Sequence, residues 1–157
     1  MITRTLPDLE ATHAFGSLLG RAAERGLVIA AVGTLGAGKT SLAQGIARGL
    51  DVPEDHYVNS PTFAIMQIHP GRVPFYHIDL YRLGDPDEAL GLGLDEVVGT
   101  DGVAYIEWPS RAMEVLPEDR ITIALAHEGE GRRIDITASG PSSAAFLERV
   151  CDIERSL

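Results

Sequence analysis

The sequence predicts an α/β fold of three layers, with a central sheet of mixed parallel and antiparallel strands. Residues 27–32 form an uncharged apolar run, as expected for a strand buried on both faces. The motif G-x-x-x-x-G-K-[ST] follows at residues 33–40 and leads into a helix-forming stretch. Two later pairs of strand-like runs are joined by turn signals, which is typical of antiparallel hairpins. This order predicts a P-loop NTPase-like fold, and the length fits one domain, residues 1–157.

The first third of the chain is predicted to form a strand, a helix, a strand and a helix. Residues 2–5 read as a short strand, and apolar residues then recur at helical spacing across 11–23 until Gly26 ends the segment. This pattern predicts an amphipathic helix packed on the sheet. After the buried strand, a second helix is expected at 39–49, and the sequence at 51–55 breaks its pattern.

The middle of the chain is predicted to form a hairpin followed by a single helix. Strand-like runs at 63–68 and 73–79 flank the turn signal His-Pro-Gly-Arg, which favours antiparallel pairing. One helix is expected from Asp85 to about Val98, because acidic residues in its first turn suit the helix dipole.

The last third is predicted to complete the sheet and to end in a helix. Residues 103–106 form the next buried strand. Runs at 121–126 and 133–137 flank a Glu-Gly-Glu-Gly turn and predict a second hairpin. The final helix is expected to begin near Ser142.

The motif at residues 33–40 predicts a phosphate-binding loop (Walker A). Its glycines, Gly33, Gly36 and Gly38, let successive backbone N–H groups turn toward phosphate oxygens, and the following helix directs its positive end at the same anion. Lys39 would reach the β- and γ-phosphates, and the Thr40 hydroxyl would be a ligand of Mg²⁺. A chance Gly-rich turn is the alternative, but the motif lies in the strand-to-helix context that a nucleotide site requires.

Two acidic residues, Asp79 and Glu107, end predicted strands. Ligands of open α/β sheets bind at the carboxyl ends of strands, where these carboxylates could hold Mg²⁺ or orient an attacking water. The alternative for each acid is a cap on the following segment. Their occurrence together beside a complete P-loop favours the functional interpretation.

The Ser-Pro-Thr-Phe sequence at residues 60–63 lies where a nucleotide-sensing switch would be expected. Such a loop is ordered by the γ-phosphate and Mg²⁺ and released when they are lost. The competing interpretation, which the residues alone favour slightly, is that Pro61 fixes the backbone at the start of a strand.

Two further side chains lie close to the acids in sequence. His77 precedes Asp79 by two residues, and a buried histidine that supports the core or the site is favoured over a general base. Trp108 follows Glu107 and could cover the site, anchor a partner or simply pack.

Composition excludes several classes of function. The net charge is −10, with 23 acidic and 13 basic residues, which argues against a surface that binds nucleic acid by itself. A protein partner with a basic face and plain solubility explain this charge equally well. One cysteine, Cys151, cannot form an internal disulfide, and a cytoplasmic protein is expected. A signal peptide and a membrane-spanning apolar run of about 18 residues are both lacking, so no membrane association is expected.

Five strings, in their order and spacing, resemble the TsaE (YjeE) family of bacterial P-loop ATPases over about residues 5–140. The resemblance implies an accessory role in forming threonylcarbamoyladenosine at A37 of tRNA. It also implies binding to a TsaD–TsaB pair, ATP hydrolysis that supports turnover by that pair, and only indirect contact with tRNA. The strings are the P-loop at 33–40, Ser-Pro-Thr-Phe at 60–63, His-Ile-Asp-Leu-Tyr-Arg-Leu at 77–83, Leu-Gly-Leu-Asp-Glu at 92–96 and Ile-Glu-Trp-Pro at 106–109.

The resemblance also implies roles for individual residues. Lys39 is expected to bind phosphate, Thr40 and Glu107 to hold Mg²⁺, Asp79 to be needed for hydrolysis, and Thr62 to be the hydroxyl of the switch loop. Whether Asp79 is a general base, positions water or supports the metal ligands stays open, because each role needs the same carboxylate in the same place.

The adenine pocket implied by the family involves the start of the first helix and a basic residue on a late strand. Those positions are Thr12 and either Arg132 or Arg133, although a solvated hairpin end explains the arginines equally well. Thr34 departs from the Asp that is common there in the family, but Mg-ATP binding should survive because the loop works through backbone N–H groups. The expected ATP-binding residues are Thr12, Gly33, Leu35, Gly36, Ala37, Gly38, Lys39, Thr40, Ser41, Asp79, Arg132 and Arg133.

Two other functions are compatible with a P-loop. One is a nucleotide-gated binding module in which ATP orders residues 60–63 for docking and hydrolysis is not required. The other is a small-molecule kinase, which usually has an arginine-rich lid, and residues 84–120 contain no arginine cluster.

Overall fold

The computed structural model describes residues 1–34, 36–56, 58 and 65–157, except for the side chains of Pro86 and Ala89. Its strands are β1 Ile2–Leu6, β2 Val28–Val32, β3 Met66–His69, β4 Phe75–Asp79, β5 Val103–Glu107, β6 Ile121–Glu128 and β7 Gly131–Ala138. Its α-helices are α1 Leu9–Ala22, α2 Lys39–Gly49, α3 Pro86–Gly91, α4 Leu94–Val97 and α5 Pro141–Arg155. Short 3₁₀ turns lie at Pro109–Arg111 and Met113–Val115.

All seven strands belong to one sheet in the order β1-β7-β6-β2-β5-β4-β3. Strand β2 lies in the middle and pairs in parallel with β5 and β6, and β4 pairs in parallel with β5. The pairs β1–β7, β6–β7 and β3–β4 are antiparallel. The predicted mixed α/β sheet and both predicted hairpins are therefore confirmed, and the second hairpin is longer than expected because β6 and β7 continue to the turn at Gly129 and Glu130.

Apolar side chains alternate along the strands and bury both faces of the sheet. On β2, Ile29 and Ala31 join the apolar side chains of α1, α2 and α5, whereas Val28 and Ala30 face a second cluster that includes Leu94 of α4. The continuous apolar run at residues 27–32, from which a buried strand was predicted, fits this position because β2 is covered on both sides. The sheet and its two covering layers make the three layers expected from the sequence.

The predicted single helix at 85–98 is wrong, because the structure breaks it into α3 and α4. Gly93 lies between them with a φ of +75°, a left-handed conformation that ends one helix and that glycine adopts without a steric penalty. In one continuous helix Leu90 and Leu94 would lie on the same face. The break separates them, because Leu90 is exposed together with Leu92, whereas Leu94 is buried.

Helices α1 and α2 pack backbone to backbone through glycines on their facing sides. A Cβ added to Gly16 would lie 2.8 Å from the carbonyl oxygen of Leu42, and one added to Gly45 would lie 2.5 Å from that of His13. Added Cβ atoms at Gly20 and Gly49 would overlap the backbone of the opposite helix in the same way. This close approach holds the N-terminal part of α1 against the first turn of α2.

The last helix carries the one cysteine of the chain. Cys151 is half-buried on α5 and packs against the larger apolar cluster. Among the helices that the structure describes, none has the length and apolar character needed to cross a membrane.

Candidate nucleotide-binding site

The P-loop connects the end of β2 to the first residue of α2. Gly33, Gly36 and Gly38 have φ values of +152°, +79° and +105°, so each glycine of the motif has a backbone conformation that other residues rarely adopt. A Cβ on Gly33 would also lie 2.6 Å from the carbonyl oxygen of Leu125 on β6. The predicted site residue Leu35 lies outside the described part of the chain. Backbone geometry therefore explains why the motif needs these glycines.

The Lys39 side chain folds back into the P-loop. Its Nζ donates hydrogen bonds to the carbonyl oxygens of Gly33, at 2.6 Å, and Thr34, at 3.0 Å. Burial lowers the pKa of the ammonium, and the carboxylates of Glu107 and Asp79 partly oppose that shift. The positive charge is thus held inside the loop, close to both acids.

Trp108 lies against the same ammonium. The Lys39 Nζ is 4.5 Å from the centroid of the Trp108 ring, which is within the range of a cation–π contact. The ring also lies 5.0 Å from that of Tyr81. Trp108 has a φ of +58°, an uncommon conformation for a non-glycine residue that turns the chain directly after β5. Trp108 also packs against the second apolar cluster, so both the covering and the packing interpretations agree with the structure.

The two acids lie side by side at the carboxyl ends of adjacent parallel strands. Asp79 of β4 is the register partner of Glu107 on β5, and Glu107 is in turn opposite Ala31 on β2, which leads into the P-loop. Glu107 is buried, whereas Asp79 is half-buried. Asp79 Oδ1 also accepts a hydrogen bond from the backbone N–H of Tyr81 at 2.9 Å. Asp79 therefore also caps the segment that follows β4, which was the alternative interpretation of this acid.

His77 contacts Glu107 rather than Asp79. Its Nε2 lies 2.6 Å from Oε2 of Glu107, and both side chains are almost wholly removed from solvent. The imidazole therefore belongs to the buried surroundings of the site, in agreement with the interpretation that the sequence favoured.

A small cavity of about 240 Å³ lies beside the P-loop and contains two of the residues expected around adenine, Thr12 and Arg132. Thr12, Ser41 and Arg132 line it together with Gly38. The Nη2 of Arg132 also donates a hydrogen bond to the carbonyl oxygen of Gly36 at 3.2 Å. Arg133 does not line this cavity, and its exposed side chain lies 3.4 Å from Oδ1 of Asp135. The geometry therefore favours Arg132 as the basic residue of the pocket.

The structure brings most of the predicted site residues together at one edge of the sheet. Lys39 and Thr40 begin α2, Asp79 and Glu107 end their strands, and Ala37 lies within the loop. Thr62 and the rest of residues 60–63 lie outside the described part of the chain, so the switch-loop interpretation stays a prediction.

Tyr105 is a residue of the site that the sequence did not single out. Its hydroxyl donates a hydrogen bond to the carbonyl oxygen of Lys39 at 2.7 Å, joining β5 to the first turn of α2. Burial raises the pKa of this hydroxyl well above its ordinary value, and the charge of Glu107 adds to the shift. The sequence could have indicated Tyr105 through its spacing, because a residue two positions before Glu107 on a strand points to the same face of the sheet.

This strand, loop and helix, with two carboxylates at neighbouring strand ends, defines a P-loop nucleotide-binding domain. Comparison with known proteins then identifies the family. The protein-family model described as "Threonylcarbamoyl adenosine biosynthesis protein TsaE" matches residues 6–134 of this chain. The chain therefore belongs to the TsaE family.

Individual relatives cover most of the chain. The tRNA threonylcarbamoyladenosine biosynthesis protein TsaE of Treponema pallidum is 38% identical over 132 residues, covering 84% of this chain and 94% of that protein. The protein of the same name from Bacillus subtilis is 41% identical over 133 residues, covering 83% and 82%. The crystal structure of Bacillus subtilis YdiB superposes with a TM-score of 0.81 at 30% identity and covers 98% of this chain and 95% of that one.

Proposed function

We propose that this chain is a magnesium-dependent ATPase that acts in the cytoplasm as an accessory subunit in forming threonylcarbamoyladenosine at A37 of tRNA. In this role it binds a TsaD–TsaB pair, its ATP hydrolysis supports repeated turnover by that pair, and it meets tRNA only through the complex. Family membership supports the pathway, because the relatives from Treponema pallidum and Bacillus subtilis are named for it. The observation that carries the ATPase part is the register pairing of Asp79 with Glu107 beside the P-loop.

The phosphates of ATP would be bound by the P-loop and the first turn of α2. Backbone N–H groups of the loop and the N-terminal end of the helix favour an anion there. The Lys39 ammonium lies within the loop on two carbonyl oxygens, which it would exchange for a phosphate oxygen. The 240 Å³ cavity beside Gly38 would then take the adenine base against Thr12 and Arg132.

Thr40 at the start of α2 and Glu107 at the end of β5 fit Mg²⁺. The Thr40 hydroxyl and the Glu107 carboxylate supply the oxygen ligands that this ion prefers. Within the described part of the chain, no group of three or more His, Cys, Asp or Glu side chains is arranged to hold a metal ion alone. In nucleotide sites Mg²⁺ is usually held by one or two protein oxygens together with phosphate and water. When held by Thr40 and Glu107, Mg²⁺ would supply positive charge that offsets the negative charge of the phosphates.

Asp79 is the residue proposed to act on the attacking water. Its carboxylate lies on the same strand-end edge as Glu107, and a water on it would face the γ-phosphate held by Lys39. The hydrogen bond from the Tyr81 backbone to Oδ1 restrains the orientation of the carboxylate. This arrangement suits orientation of a water, whether or not the proton passes to the carboxylate.

The Asp79 contact with Tyr81 also supports the second candidate function, a nucleotide-gated module that does not need hydrolysis. If Asp79 served only to cap the segment after β4, its loss would disturb local structure but leave nucleotide-dependent partner binding intact. The two functions differ in whether turnover of the partner enzyme needs this carboxylate.

A reconstituted modification assay separates the two functions. Rounds of tRNA modification per TsaD–TsaB pair are counted with the wild-type chain, with Lys39→Ala and with Asp79→Asn, after thermal unfolding has shown that both variants fold. We expect both variants to lose multiple turnover, and Asp79→Asn to retain nucleotide and partner binding. Full turnover with Asp79→Asn would establish the module instead, and full turnover with Lys39→Ala would contradict any role for nucleotide.

A further inference from the structure

The buried pair formed by His77 and Glu107 has a geometry that constrains the carboxylate. The His77 side chain is wholly buried, and its Nε2 lies 2.6 Å from Oε2 of Glu107. A hydrogen bond of this length to a carboxylate is among the strong ones in proteins. It occupies one of the two carboxylate oxygens, and Oε1 is the oxygen left for a ligand.

The surroundings of the imidazole determine which nitrogen carries the proton. Nδ1 is buried and has no hydrogen-bond partner among the described residues. A proton on Nδ1 would therefore be an unsatisfied buried donor, whereas a proton on Nε2 is used in the bond to Glu107. We assign a proton to Nε2, so that His77 donates and Glu107 accepts.

Aromatic neighbours hold the ring in this orientation. The Phe75 ring stacks on it with a centroid distance of 6.2 Å and an angle of 19°, and Tyr105 meets it at 5.7 Å and 67°. Tyr105 in turn donates to the carbonyl oxygen of Lys39. The imidazole is therefore fixed relative to both β5 and the first turn of α2, where Thr40 lies.

From this geometry we propose that His77 is a positioning residue that orients the Glu107 carboxylate toward Mg²⁺. It does not touch the metal or the nucleotide itself. Histidines and carboxylates that contact metal ligands from behind commonly act in this way, and their loss typically weakens metal affinity by about 10- to 100-fold. The inference rests on the proposed Mg-ATP function and adds the residue that sets how well the metal is held.

The test compares two polar substitutions that differ in reach. In His77→Gln the amide nitrogen takes the approximate place of Nε2 and can still donate to Glu107, whereas the shorter side chain of His77→Asn cannot. Binding of a non-hydrolysable ATP analogue is measured by calorimetry in EDTA and over a Mg²⁺ titration. We expect His77→Asn to raise the Mg²⁺ concentration for half-maximal tightening by about 10-fold and to leave the affinity in EDTA unchanged. His77→Gln should stay close to wild type.

Each alternative outcome has a distinct meaning. Wild-type tightening by Mg²⁺ together with an unchanged midpoint in His77→Asn would overturn the positioning role alone. Equal loss of affinity in EDTA and in Mg²⁺ would show that His77 only packs. Absence of any Mg²⁺ effect in the wild type would instead contradict the proposed function. If His77→Asn does not fold, His77→Met, which fills the space without a donor, carries the same expectation.

Discussion

At the scale of single residues, Lys39 is placed where burial and charge act on it in opposite directions. Burial lowers the pKa of its ammonium, and Glu107 and Asp79 raise it by less. A base whose folded-state pKa is lowered binds fewer protons when folded, so its charged form opposes folding at lower pH. That destabilisation is relieved as the pH rises through the lowered pKa. The charged form of Lys39 therefore lowers the stability of the fold, as expected of a side chain that serves binding.

The environment of Lys39 predicts that nucleotide affinity falls at alkaline pH. Phosphate binding needs the ammonium form, so affinity for a non-hydrolysable ATP analogue should begin to fall below the ordinary lysine pKa of about 10.4. The measurement is calorimetry from about pH 7 to about pH 10. Lys39→Arg is the control, because its guanidinium stays charged over this range. A parallel fall in Lys39→Arg would assign the effect to other groups.

The two adjacent arginines of β7 provide a second test at this scale. Arg132 lines the cavity beside Gly38 and donates to Gly36, whereas Arg133 is exposed. Hydrogen bonds to charged groups are worth about 1.5–3 kcal/mol, so Arg132→Ala should weaken analogue binding by about 10- to 100-fold. Arg133→Ala should change it by less than about twofold. A comparable loss in both variants would contradict the assignment of the pocket to Arg132.

Some of the site could be predicted from the sequence because its residues are adjacent in the chain or end a strand. The P-loop glycines and Lys39 belong to one continuous motif, and Asp79 and Glu107 follow apolar runs. Arg132 could not be separated from Arg133, because adjacent residues of a strand point to opposite faces and the register decides which face is the pocket. The contact of His77 with Glu107 likewise depends on the parallel pairing of β4 with β5, which no local pattern specifies.

At the scale of elements, the packing of α1 on α2 is the feature that brings Thr12 close to the P-loop helix. Gly16 and Gly20 of α1 face Gly45 and Gly49 of α2, so the helix backbones touch directly. Both helices were predicted, α1 from its apolar periodicity and α2 from the motif before it, but their contact was not, since it depends on how two helices meet. The break before α4 was not predicted either, because Gly93 outweighs an otherwise helical composition there.

The helix contact predicts an unusual sensitivity to a single methyl group. Gly20→Ala would place a Cβ against the backbone of α2, and overpacking of this kind costs about 1–3 kcal/mol. Gly91→Ala is the control, because no atom lies within 4 Å of its added Cβ. Urea unfolding should show a loss for Gly20→Ala and little change or a slight gain for Gly91→Ala. Equal stability of the two variants would mean that the helices lie farther apart than described.

At the scale of the whole molecule, one sheet joins two apolar clusters and carries an excess of negative charge. The mixed sheet was predictable because hairpins and buried parallel strands have different sequence patterns. The net charge of −10 fits a protein partner and plain solubility equally well, and the chain belongs to a family named for threonylcarbamoyl adenosine biosynthesis. Charge of this sign opposes direct contact with phosphodiesters.

The charge predicts that the isolated chain does not bind tRNA. In a titration of fluorescently labelled tRNA at about 0.15 M salt, anisotropy should stay flat with this chain alone. It should change only when the TsaD–TsaB pair is present. Saturable micromolar binding by the chain alone would contradict an accessory role in which tRNA is met only through the partners.

The central claim, an ATPase that works for a partner enzyme, is tested most directly by ATP hydrolysis. The rate is measured with Mg²⁺ for the purified chain alone and with the TsaD–TsaB pair, with Lys39→Ala as the blank in both conditions. We predict a Mg²⁺-dependent rate that changes when the pair is added and disappears in Lys39→Ala. A rate that is indifferent to the pair, despite measurable ATP binding by the chain, would contradict the claim.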